Sequence, residues 1–375
     1  MRLLPRRGGP HRNMVLEYAD ELRLFKTPLA KFGLVLLIAA YAAAPQYLSD
    51  YWLKVLGFCG VYAIAAVSLN LLTGYTGQVS LGHAFFIGSG AYTSAYLGAT
   101  HQWPLWLYLP AAAFIGFAIG AIVGPFALRL RGNYLVIVTL GLVFIGIHVF
   151  SNWRSVTGGR GGTSTAAAPV SIGPLDFGKL ELFGQRYTRE QGMFWLIWAA
   201  VGLSCLITKN IVRSRPGRAM QAIRDRDISA EVIGVSLARY KIGAFAVSGA
   251  MAAAAGALFG PLTFGGLTST QFDLFLSINF VAMVIIGGVG TVFGGVIGAL
   301  VVIAGQRLIE QNTDVFIFDP LIQTVPGESG VFSVGQFNAI VFGLFIVLFL
   351  MFEPRGLAAV WFRIKAYFAA WPFSY

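Results

Sequence analysis

The sequence predicts an all-α polytopic membrane protein with about ten transmembrane helices and a cytoplasmic coupling loop. Three observations carry that prediction. Of 375 residues, 57% are hydrophobic and only 11% are charged. Apolar runs long enough to cross a bilayer recur along the chain, which no soluble core requires. One charged stretch, Lys209 to Lys241, interrupts them with eight basic residues against Asp225, Asp227 and Glu231, so the excess of positive charge places it on the cytoplasmic side.

Taken in order, residues 1–31 form a basic cytoplasmic segment with Arg2, Arg6, Arg7, Arg12, Arg23, Lys26 and Lys31. No clear small-residue cleavage site follows the first apolar run, which argues against a cleaved signal peptide. The transmembrane domain then runs over 32–354. Its expected spans are Phe32–Leu48, Leu53–Leu72, Val79–Ala99, Pro104–Leu128, Tyr134–Phe150, Gly192–Thr208 and Ile242–Phe264. The run Leu274–Ala304 is too long for one perpendicular helix and holds Gly287, Gly288, Gly290, Gly294 and Gly295, so it divides there into two. Asn338–Phe352 completes the set, and 355–375 form a cytoplasmic tail. This arrangement puts both termini and 20 of the 27 basic residues inside, an asymmetry that supports the orientation. The external insert 151–191 is Gly-rich and too short for a second domain, so it reads as a lid or docking surface.

The formal charge of +11 does not point to nucleic acid, because the basic residues flank spans rather than occupy a separate folded domain. Cys59 and Cys205 lie in apolar runs without metal-ligand spacing, so neither a zinc site nor a disulfide is expected. No clustered His, Cys and Asp set, no Ser/His/Asp arrangement and no Walker A sequence is present, so no catalytic residue, metal or cofactor is assigned to this chain. Between Lys54 and Arg129 there is no Asp, Glu, Lys or Arg. A proton relay is hard to build from such spans, which weakens an ion-coupled secondary carrier, although backbone carbonyls of broken helices can bind sodium.

Polar groups concentrate in the stretch from Asn70 to His83. Gly74, Gly77 and Gly82 allow close approach, while Asn70, Tyr75, Gln78, Ser80 and His83 supply hydrogen-bonding groups. Two readings stand here: a broken helix beside an aqueous translocation path, or small-residue packing with the polar groups satisfied between helices. For His83 alone packing is favoured. The cluster from Ile285 to Ala299 is read as a turn with packing. Within the charged stretch, Ala219, Met220, Ala222 and Ile223, then Ile228, Val232 and Ile233, recur at helical spacing, giving two short amphipathic helices with Pro216 suited to a first turn and Gly234 to a helix end. It is either a loop that merely obeys the charge rule or an element that docks a soluble partner.

LNLLTGYTGQVSLGHAFFIGSGAYTSA, GRAMQAIRDRDISAEVIGVSLARYKIGAFAVSGAMAAAAGAL and IIGGVGTVFGGVIGA, in that order, closely resemble the LivM-type permease subunits of bacterial branched-chain amino acid ABC transporters. The resemblance runs from about the second span to EPRGL near the C-terminus. It implies an inner-membrane importer subunit for branched-chain or related neutral amino acids, paired with a LivH-like permease, two cytoplasmic ATP-binding subunits that would hold ATP and Mg, and a periplasmic amino-acid-binding protein. A urea or short-amide importer has a similar organisation and is the nearest alternative. The family's ATPase-coupling region falls here on Gly217, Arg218, Ala219, Ile223, Arg224, Ala230, Glu231, Gly234, Tyr240 and Lys241. The general EAAxxxG pattern of ABC importers is only partly kept, with Ile228 and Ser229 standing where Glu and Ala would be.

Overall fold

A computed structural model describes residues 28–129, 133–173, 175–182, 185–263, 266–311, 322–323, 332–353 and 356–370. The basic residues of segment 1–27, together with Arg131 and Arg355, lie outside them. The described residues up to Leu48 form a unit of their own, in which α1 (Pro28–Tyr47) is an apolar helix. The remaining chain forms the second unit.

That second unit is built around two helices, α2 (Asp50–Thr76) and α9 (Leu237–Leu262). Their apolar windows are 83% and 72% buried, against 28% for α4 (Leu105–Val123), 28% over Tyr134–Asn152 in α5 (Asn133–Asn152) and 33% for α6 (Arg189–Arg213). The first pair is the core and the others present a side to lipid. Composition explains the difference. Helix α9 is rich in Ala and Gly, so neighbouring backbones approach it closely, and lipid-embedded helices gain their association largely from such packing. Helix α4 shows this at one crossing: a Cβ on Gly116 would overlap Gly249 O, and one on Gly249 would lie 2.5 Å from Gly116 O.

The third expected span starts later than the apolar run suggests. Helix α2 stops where Gly77 takes a left-handed conformation at φ 70°, residues 78–82 are non-helical, and α3 (His83–Thr93) then passes into a π-helical stretch over Ser94–Thr100. The long run after the insert-end loop is divided at 288–291 into α10 (Leu274–Gly287) and α11 (Val292–Gln311), which are bent by 118° to one another. Helices α12 (Val334–Phe352) and α13 (Leu357–Ala370) follow. Among the described residues, five helices are long and apolar enough to cross a membrane, or six if the bent pair counts as one span. The other expected spans fall on the shorter apolar α1, the divided 83–100 segment and α12. The chain is a mostly helical, polytopic membrane protein.

The insert after α5 holds short pieces only. Ser171–Ile172 pairs with Leu175–Asp176, and Glu181–Leu182 with Gln185–Arg186, both antiparallel. Thr163–Ser164 pairs with Gly266–Leu267, so the insert is laced to the loop that follows α9. It ends at Thr188, whose hydroxyl accepts from Gln191 N while Gln191 Oε1 accepts from Thr188 N, a capping box that starts α6. At the other end of α6, the charged stretch forms α7 (Arg215–Asp225) and α8 (Asp227–Val232), the two short helices expected there.

Candidate functional site

Asn70, Gly74 and Gly77 of the 70–83 stretch meet the charged stretch at one end of the bundle. Asn70, on the last turns of α2, is buried and makes two bonds to the break between α10 and α11: its Nδ2 donates to Thr291 O at 2.7 Å and its Oδ1 accepts from Gly290 N at 2.8 Å. One side-chain amide thus gives Gly290 N its acceptor and Thr291 O a second donor besides Gly294 N. Gly74 makes this possible, since a Cβ there would overlap Asn70 Oδ1 and lie 2.5 Å from Gly290 N. Arg224, at the end of α7, donates from Nη1 to Gly74 O at 2.9 Å and from Nε and Nη2 to Asp225 Oδ1 at 3.1 Å each. The first of these bonds ties the charged stretch to the α2 terminus at the point where the turn rests on it.

The rest of the charged stretch sorts into an inner and an outer face. Met220, Ile223 and Ala230 are buried, and a Cβ on Gly217 would overlap backbone oxygens of Ile211 and Val212, which seats the start of α7 on the end of α6. Lys241 is buried with its Nζ 3.8 Å from Asp227 Oδ2. Gly234, at φ 88°, donates to Glu231 O and ends the α8 turn. Ala219 and Tyr240 are half-buried, whereas Arg218 and Glu231 are exposed. Outward point Ile228, Val232 and Ile233, at 63%, 82% and 75% exposure. Sequence reasoning placed these three at helical spacing but did not single them out as a surface, because spacing does not tell which face of a short helix turns away from the bundle.

The other candidate path residues are spread along the break and the start of α3. Tyr75, Gln78, Ser80 and His83 are all buried. Ser80 Oγ accepts from Gly82 N at 3.2 Å. Ser248 Oγ, on α9, donates to Ser68 O at 2.7 Å, so its 3.0 Å contact with His83 Nε2 makes the imidazole the donor and leaves Nδ1 as an acceptor. Among the described residues Nδ1 finds no partner, and neither do Gln78 Nε2 and Oε1 or Asn279 Oδ1. An unmade buried bond is costly, which sets these atoms apart from the satisfied polar groups around them. Asn279 and Ser248 were not singled out from sequence. The available signal was a lone polar residue within an apolar run, as in LSINF and AVSGA.

The family model described as branched-chain amino acid transport system / permease component matches residues 51–350. The high-affinity branched-chain amino acid transport system permease protein LivM of Escherichia coli (strain K12) is 29% identical over 341 residues, covering 87% of this chain and 74% of its own length. LivH of Salmonella typhimurium, described as a permease protein of the same kind of system, is 27% identical over 257 residues, covering 66% of this chain and 81% of its own. A probable LivM of Methanocaldococcus jannaschii is 23% identical over 331 residues, covering 80% of this chain and 90% of its own. No solved structure matches.

Proposed function

This chain belongs to the family of branched-chain amino acid transport system permease components, and from that premise we propose that it is the membrane-spanning subunit of an ATP-driven importer for branched-chain or related neutral amino acids. It sits in the inner membrane with a LivH-like permease beside it, two ATPase subunits on the cytoplasmic side and a periplasmic amino-acid-binding protein on the other. ATP and Mg belong to the ATPase subunits. The charged stretch and both termini face the cytoplasm, and the ten apolar segments supply the spans.

The observation that supports the coupling role most directly is the outward apolar face of α8. Ile228 and Val232 of α8 and the adjoining Ile233 are exposed, as are the basic Arg218 and Arg226, while Met220 and Ile223 of α7 and Ala230 of α8 are buried and anchor the pair. A face of this kind on water is unfavourable unless covered, and a soluble ATPase groove covers it. A rigid helix pair held between α6 and α9 then passes movement of the ATPases to the spans that it joins. The buried, unpartnered polar atoms of Gln78, His83 and Asn279 are the groups offered to a solvated substrate on its way through.

The test is uptake of labelled leucine, with urea in parallel, in vesicles carrying this chain with and without its permease partner, ATPases and binding protein. Leucine uptake that needs ATP and the whole set is the expected result; urea uptake alone overturns the substrate, and ion-driven uptake by the isolated chain overturns the mechanism. Ile228→Asp together with Val232→Asp places two charges on the docking face. Recovery of ATPase subunits with the purified permease then falls about tenfold or more, and undiminished recovery would place the contact elsewhere.

A further inference from the structure

We propose that Asn70 is a positioning residue for coupling: with Gly74 and Arg224 it locks the α10–α11 break to α7, so that the bent helix pair moves with the docking helices as one body. The proposal rests on the reading of the charged stretch as the ATPase-facing element.

The geometry points to this in three steps. At the break at 288–291, Asn70 is the described partner of Gly290 N and a second partner, beside Gly294 N, of Thr291 O, and both of its bonds are short and partly buried. Second, Gly74 brings the α2 backbone and the turn together: a Cβ on Gly74 would reach Gly290 N, and one on Gly290 would lie 3.3 Å from Arg224 Nη1 and 3.3 Å from Gly74 O. Arg224, Gly74 and Gly290 are therefore stacked within one van der Waals layer. Third, Arg224 closes the chain through its 2.9 Å bond to Gly74 O, and Gly77 packs on the Arg224 stem, with a Cβ there 3.2 Å from Cγ. A displacement of α7 cannot leave the turn behind without breaking this layer.

The turn in turn controls something large. Helices α10 and α11 diverge by 118° from it, so a small tilt at 288–291 swings both arms, and α10 carries Ser277, which accepts from Ala84 N at 3.1 Å at the start of α3. Movement of the docking helices thereby reaches the His83 region through packed and bonded neighbours rather than through a flexible loop.

The experiment uses the complete transporter in vesicles and reads leucine taken up per ATP hydrolysed. Asn70→Ala is expected to lower that ratio about tenfold, the effect of losing two buried bonds at a mechanical junction. Tyr108→Phe, which removes one bond at the opposite end of the bundle, is the control and keeps the ratio of the unaltered protein. A structural role alone would lower the amount of assembled complex without changing uptake per ATP, so an unchanged ratio in Asn70→Ala overturns the proposal while leaving the importer reading intact. Absence of ATP-driven uptake in the unaltered complex would instead remove that reading. A measurement that needs no variant decides the case if Asn70→Ala does not assemble. On trapping with ATP and vanadate, hydrogen exchange of 215–225 and of 288–291 changes together; a change confined to 215–225, or none in either, overturns the proposal.

Discussion

The two ends of the bundle are both stitched by polar contacts, but the stitching differs in kind. At the insert end the bonds are many and parallel. Tyr108 OH donates to Pro169 O, Thr165 Oγ1 to Gly260 O, Ser151 Oγ to Ser269 Oγ, and Arg189 to Ala166 O and Pro261 O, beside the short ladder between 163–164 and 266–267. Together they tie the insert and the helix ends around it at several separate points, so any one can be lost while the others keep the insert in place. At the charged end a few bonds run in series, from Arg224 to Gly74 and from Asn70 to the 288–291 turn. Series connections fail at their weakest member. The contrast teaches where the molecule tolerates change and where it transmits movement.

The largest effect is expected from overfilling the series junction. Gly74→Val puts a branched side chain where even a Cβ overlaps Asn70 Oδ1 and presses on Gly290. Overpacking of this kind costs about 2–3 kcal/mol, and it also parts the turn from α2. The thermal midpoint of the detergent-solubilised complex should fall and ATP-driven uptake should be nearly lost. A variant with full uptake would show that the turn does not need this approach, and the distinction between the two ends would collapse.

Much of this was legible in the residues, and what was not has physical reasons. The charged stretch, its two short helices and the break in the 274–304 run follow from charge, period and glycine, which are local properties. At the start of α3 two readings were open, and the left-handed Gly77 that stops α2 and the non-helical 78–82 match the broken helix; pattern did not decide between them because glycine beside polar residues serves a break and close packing alike. Asn70 was visible as a hydrogen-bonding group beside a glycine-rich stretch, but its partners lie more than 200 residues away, at Gly290 and Thr291. A separation of 165 residues likewise hid Ser248 from His83. Pattern shows which groups must find partners; only the fold shows which partners they find.

An intermediate effect is expected at the insert end, from the helix start that the insert terminates in. Thr188→Ala removes the capping box of α6 and the bond from Thr188 Oγ1 to Asp50 Oδ1 at 2.9 Å. Loss of such a cap costs about 1 kcal/mol. The thermal midpoint should drop modestly, with uptake per ATP unchanged, because the insert remains held by its other bonds. A fall in that ratio would mean that the insert end also lies in the path of movement.

The smallest effect is expected from Tyr108→Phe, and it is the sharpest test of parallel stitching. Tyr108 is fully buried, and its hydroxyl donates to Pro169 O at 3.1 Å from a ring packed under the insert. Phenylalanine keeps the ring and its contacts, leaves no void larger than the missing oxygen, and gives up one hydrogen bond of net worth about 0.5–1.5 kcal/mol. Thr188 and Tyr108 share no bond, so if the contacts at this end act independently, the double variant Thr188→Ala with Tyr108→Phe loses the sum of the two single losses to within about 0.5 kcal/mol, as read from chemical denaturation of the purified complex. A loss well beyond the sum would reveal that these bonds depend on one another, which would make the insert end a serial device like the charged end and leave Gly74 and Asn70 with no special standing.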